Sequence, residues 1–90
     1  MSCTKAEHEA YHRRRKAERW AEWWLRECGR WLRTPRQWRR LLRFIARLNT
    51  TAWAQLAREA KLNPPSARTR LMIIDVLADR GMVAVNRRRA

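Results

Sequence analysis

Two helix-start signals, at Thr4 and Thr34, do most to limit what this chain can fold into. In "TKAE" Thr4 stands as N-cap with Glu7 three residues on, and in "TPRQ" Thr34 stands in the same relation to Gln37. Each is a capping box, in which side chain and backbone at the helix start satisfy one another's hydrogen bonds. No proline interrupts the chain between the boxes, so the spacing predicts one long helix running to about Arg33. At 100° per residue Ala17, Trp20, Ala21, Trp24, Cys28, Trp31 and Leu32 fall on one stripe, an aromatic packing face. Trp23 falls on the opposite face among Arg19, Arg26 and Arg30, where it is placed to stack on a guanidinium, a base or a protein partner.

Pro35, at the first helical position, opens a second helix to about Leu48. Its inward face is Trp38, Leu41, Leu42, Ile45 and Leu48. Arg36, Arg39, Arg40, Arg43 and Arg47 fall within about 100° of the opposite side, with no acid among them. Solvated faces normally mix signs, because like charges four residues apart repel by a few tenths of a kcal/mol per pair, so this face is expected to contact an anion. A third, shorter helix begins after Asn49, and a fourth at about Pro64 runs to Arg80. Gly81 is expected to end that helix, and "MVAV", residues 82 to 85, is the only strand-like segment. The expected class is mostly α, with residues 1 to 33 as an amphipathic helix for packing or dimerisation and residues 34 to 90 as a second unit.

Charge narrows the partners. Twenty-two Lys and Arg against eight Asp and Glu leave a net +14, and nineteen of the cations are arginine, whose planar fork matches phosphate. That balance points to a polyanion, although an acidic protein surface or an anionic membrane would also suit it, so charge alone does not choose. The longest strongly apolar run is "LMII", residues 71 to 74, against the ~20 residues that a membrane helix needs. No membrane partner is expected. Cys3 and Cys28 form no C-x-x-C pair and the start lacks an apolar leader core, which is the pattern of a reduced, cytoplasmic protein.

One stretch imitates an enzyme. "HEAYH", residues 8 to 12, spells H-E-x-x-H and places His8 and His12 on one helix face with Glu9 beside them. A catalytic zinc needs a third ligand and an open position. Glu27, fifteen residues past His12 on the same helix, lies roughly 22 Å up the axis, and "RRRK", residues 13 to 16, opposes a divalent cation. Without a Gly-rich phosphate loop or a nucleophile and base pair, no catalysis, metal or cofactor is expected.

From Thr50 onward the chain resembles the winged helix-turn-helix DNA-binding superfamily, over about residues 50 to 86. "LAREAKLNPPSARTRL", residues 56 to 71, carries the pattern. Leu56 and Ala57 face inward, Ala60 and Leu62 bracket the turn, Asn63 caps the recognition helix, and Ala67 and Leu71 are its buried positions. "LADRGMVAV", residues 77 to 85, looks like that helix passing into a first wing strand. The turn carries Lys61 where the family favours glycine, and the wing is expected to be clipped to one strand. The resemblance implies that Ser66, Arg68, Thr69 and Arg70 point into a major groove. There Arg68 or Arg70 would pair with guanine and Thr69 would touch a base edge or phosphate. It also implies that Arg87, Arg88 and Arg89 form a basic wing tip on phosphates or the minor groove.

Together these readings predict a small non-catalytic DNA-binding protein, a transcriptional or replication and maintenance regulator acting as a homodimer. Arg36, Arg40, Arg43 and Arg47 would add phosphate contacts, and Trp20, Trp24, Trp31, Met72 and Val76 would supply the dimer or partner interface. The alternative is a protein-binding inhibitor or accessory subunit of a nucleoprotein machine, or an RNA-binding protein.

Overall fold

The computed structural model describes residues 4–89, with side chains described for residues 4–81. Four helices follow in order: α1 (Lys5–Cys28), α2 (Pro35–Ala46), α3 (Thr50–Ala60) and α4 (Ala67–Arg89), with a short 3-10 turn over Gly29–Trp31. The expected starts form as the local chemistry dictates. Glu7 N donates to Thr4 Oγ1 at 3.2 Å while Thr4 N donates to Glu7 Oε2 at 3.4 Å. At α2, Gln37 N donates to Thr34 Oγ1 at 3.2 Å, and Gln37 Oε1 accepts from Thr34 N at 3.1 Å and Arg33 N at 2.7 Å. Asn49 opens α3 by accepting from Ala52 N at 2.8 Å.

α4 lies at the centre, with its backbone packed against α1 and α2. This explains its nearly all-round apolar middle. Ile73, Val76 and Leu77 are buried, and Met72 and Ile74 are half-buried against the same core. α1 contributes Ala17, Trp20, Ala21 and Trp24 to that core, α2 Trp38 and Ile45, and α3 Trp53 and Ala57. The rings meet edge to face: Trp53 stands 5.1 Å from Trp20 at 88° and 6.2 Å from Trp24 at 83°. Such pairs add about 0.5–1.5 kcal/mol each beyond the area they bury. Trp20 Nε1 also donates to Asn63 O at 3.1 Å, tying the α3–α4 connection to α1.

Several expectations are corrected. The long first helix stops at Cys28 rather than Arg33, and the 3-10 turn, with three residues per turn, changes the phase of the stripe. Leu32 stays buried, but Trp31 turns outward and is 69% exposed. Trp23 is half-buried, with its ring 5.6 Å from Trp20 and 5.0 Å from Trp24, so it belongs to the aromatic cluster rather than to an arginine-rich outer face. Leu71, expected inward, is 67% exposed.

The largest correction lies at Gly81. The helix does not end there: α4 begins at Ala67, later than expected, and runs to Arg89, so residues 82–85 are helix and the described residues contain no strand. No glycine among them has positive φ, and a terminating glycine would normally use it. Gly81 is there for its size. A Cβ at that position would lie 2.6 Å from Trp38 Cε3, so the missing side chain lets α2 approach α4.

Among the described residues Lys61 is the one non-glycine residue with positive φ, at 58°. It caps α3 in the left-handed conformation, and Leu62 N returns to Ala57 O at 3.1 Å, closing the helix end.

Candidate nucleic-acid interface

α2 presents a cationic surface with no acid on the helix. Its amphipathic pattern buries Trp38 and Ile45 and leaves Arg36, Arg39, Arg40, Arg43 and Arg47 exposed. Four of these arginines, Arg36, Arg39, Arg40 and Arg43, line one open groove of about 520 Å³ with Thr34 and Pro35, and no carboxylate enters it. Two ion pairs occur among the described residues, Arg14 with Glu18 at 3.3 Å and Arg80 with Glu22 at 3.7 Å. Neither involves α2. Among the described residues, no carboxylate neutralises the groove's positive charge.

The start of α4 divides its predicted contact residues. Ser66 and Arg68 are exposed. Thr69 is only 4% exposed: its N–H donates to Ser66 Oγ at 3.3 Å and the two hydroxyls are 3.0 Å apart, so this pair caps the helix. Arg70 is half-buried and braces the connection, with Nε donating to Pro65 O at 3.3 Å and Nη2 to Thr50 Oγ1 at 3.2 Å. Of the four, Arg68 alone combines exposure with a fork for which no partner is found among the described residues. Arg87, Arg88 and Arg89 lie on the last turns of α4, and their side chains fall outside the described residues.

A second basic concavity, of about 460 Å³, was not anticipated. It is lined by Tyr11, His12, Arg13, Arg15, Lys16 and Arg19 of α1 and by Thr69 of α4. Its sequence signal was the i, i+3, i+4, i+7 spacing of His12, Arg15, Lys16 and Arg19, which sets them on one face. What sequence spacing does not contain is the approach of α4 that makes this face concave.

The histidines sit side by side on the exposed start of α1, with Nε2 atoms 3.0 Å apart and ring centroids 4.4 Å apart. Among the described residues no three His, Cys, Asp or Glu side chains converge on one point. Cys28 is half-buried, and burial, followed by the neighbouring Glu27 carboxylate, pushes its thiol up from the ordinary value. Of the residues expected at an interface, Trp20, Trp24 and Val76 are covered within the chain itself, Met72 is half-buried, and Trp31 is exposed. Among the described residues no helix is long and apolar enough to cross a membrane.

No family model, curated protein or solved structure matches this chain.

Proposed function

We propose that this protein is a non-catalytic DNA-binding regulator that grips duplex phosphates with the arginine face of α2 and presents Arg68, at the start of α4, to base edges. One observation carries the reading: Arg36, Arg39, Arg40 and Arg43 line a single groove that no acid enters and from which no ion pair is made among the described residues. Keeping like charges this close costs a few tenths of a kcal/mol per i,i+4 pair, a cost that a bound polyanion removes. In the α3–α4 pair, buried Ala57 and left-handed Lys61 are compatible with the helix-turn-helix resemblance, while Ala67 and Leu71, expected inward, are exposed and Ser66 rather than Asn63 caps α4. The wing plays no part in the proposal.

The test is the salt dependence of duplex binding. Each neutralised phosphate contributes about −0.9 to the log–log slope, so four contacts from α2 give roughly −3.6. Arg40→Ala and Arg43→Ala should each reduce the steepness by about one unit and weaken all sequences alike. A salt-insensitive affinity, or slopes unchanged in both variants, would remove the DNA reading.

Exposed apolar side chains favour a second reading, an accessory subunit or self-associating protein. Trp31 is 69%, Leu71 67% and Phe44 56% exposed, and large aromatics are the residues that dominate protein interfaces. In that case Trp31→Ala or Phe44→Ala weakens self-association or partner capture while duplex binding stays weak and sequence-blind.

A further inference from the structure

We propose that the concavity between the first half of α1 and the start of α4 is a second phosphate-binding site, which holds the backbone of the same nucleic acid that α2 grips. The inference rests on the DNA-binding reading and extends it to residues that reading does not use. Arg13, Arg15, Lys16 and Arg19 converge there with His12 and Tyr11 over the buried Thr69, and no carboxylate lines the space.

The acids of α1 make the case sharper. Glu18 and Glu22 sit within one turn of these cations along α1, yet they pair with Arg14 and Arg80, neither of which lines the concavity. Glu7 and Glu18 border the adjoining face beside Arg15 and Tyr11, but among the described residues the cations of the concavity make no ion pair. The lining of this concavity is of one sign, whereas the adjoining face, which shares Tyr11 and Arg15 with it, mixes signs through Glu7 and Glu18. His12 to Arg19 spans seven residues, about 10 Å of helix, comparable to the rise of three nucleotides along one duplex strand at about 3.4 Å each. Tyr11, 61% exposed at the mouth, offers a flat ring beside the phosphates.

The two basic sites hang from different parts of α4. Thr69 lines the α1 concavity, while Gly81 meets Trp38 at the base of α2. Twelve helical residues separate these points, about 18 Å, or roughly five base pairs of duplex at about 3.4 Å each. The attachment points of the two sites on α4 thus lie within the length of a short duplex.

The experiment uses the full chain and a fluorescent 20-base-pair duplex, with affinity measured across a salt series. Four proteins are compared: wild type, an α1 triple variant (Arg15→Ala, Lys16→Ala, Arg19→Ala), the α2 pair (Arg40→Ala, Arg43→Ala), and a charge-matched control. The control (Arg26→Ala, Arg30→Ala, Arg58→Ala) removes exposed cations that line neither groove. Circular dichroism verifies that each is folded. The α1 triple should reduce the log–log steepness by about two to three units, at about 0.9 per phosphate, and the control by less than about one. An α1 triple with the wild-type slope, beside an α2 pair whose slope falls, overturns the second site and leaves the DNA reading standing. Equal losses in triple and control also overturn it, since bulk charge then suffices. Absence of duplex binding by the wild type overturns both.

Discussion

Gly81 and Trp38 fit together by subtraction: the ring of Trp38 occupies the space where any Cβ on Gly81 would sit, with Cε3 2.6 Å and Cδ2 2.7 Å from that point. In an ordinary helix interior, Gly→Ala stabilises by roughly 0.5–1 kcal/mol, because alanine has less backbone entropy to lose. Here the sign reverses. Gly81→Ala drives a methyl group into a buried indole, and overpacking of that kind costs about 1–3 kcal/mol. The denaturant midpoint should fall, and fall further for Gly81→Val. A midpoint that rises in Gly81→Ala would mean that Trp38 is not seated against α4.

The tryptophans should separate by their N–H groups. Trp20 Nε1 donates to Asn63 O at 3.1 Å, whereas the indole N–H groups of Trp24, Trp38 and Trp53 are buried without an acceptor among the described residues. Trp53→Phe removes ring area but also an N–H with no partner; Trp20→Phe removes ring area and a made hydrogen bond. Trp20→Phe should therefore cost about 1 kcal/mol more than Trp53→Phe, and Trp53→Ala about 3–5 kcal/mol. Equal losses in the two phenylalanine variants would show that the bond to Asn63 contributes nothing net.

How much of this was legible in the sequence depends on whether a residue's role is local. The capping boxes at Thr4 and Thr34 are, because each is complete within four residues, and the stripe of Trp20 and Trp24 follows from helical period alone. Trp31 lay beyond the reach of that argument. Its phase is set by the 3-10 turn that begins at Gly29, directly after Cys28, whereas the stripe argument carries the helical period straight through that glycine. Gly81 was ambiguous in principle, since glycine serves either a left-handed backbone or a close approach, and only the position of Trp38 decides. The α2 groove could be anticipated because its arginines share one helix. The α1 concavity could not, because Thr69 completes it from the far side of the fold.

Cys28 gives a pH dependence with a definite sign. Burial and then Glu27 raise its thiol above the ordinary 9.0, so the folded state holds its proton to higher pH than the unfolded chain. Below both values the thiol is protonated in each state and contributes nothing. Above the unfolded value the unfolded chain loses its proton first, and stability falls as pH rises through about 9 and beyond. In a Cys3→Ala background, the decline in denaturation midpoint between about pH 8 and 10 should be shallower once Cys28→Ala is added. Cys28 should also alkylate more slowly near neutrality than a free thiol, because the thiolate is the nucleophile. Identical pH profiles with and without Cys28 would contradict the raised thiol.

Arg68 and Arg70 stand two residues apart on one helix yet should fail in opposite ways. Arg70 is held inside the fold by its bonds to Pro65 O and Thr50 Oγ1, which join the start of α4 to the start of α3. Arg70→Ala should lower stability by about 1–2 kcal/mol. Arg70→Lys should recover little of this, since lysine keeps the charge but not the planar fork. Arg68 is exposed and makes no such bond among the described residues, so Arg68→Ala should leave stability within about 0.5 kcal/mol of wild type. Its effect should appear in binding: a loss of roughly 1–3 kcal/mol on the preferred duplex and relaxed discrimination there, if its fork pairs with a base. Thermal melts of the three variants, set beside duplex affinities on a randomised library, separate brace from reader. If Arg68→Ala weakens every sequence equally and only by one phosphate's worth of salt slope, α4 does not read bases, and the protein holds DNA by its backbone alone.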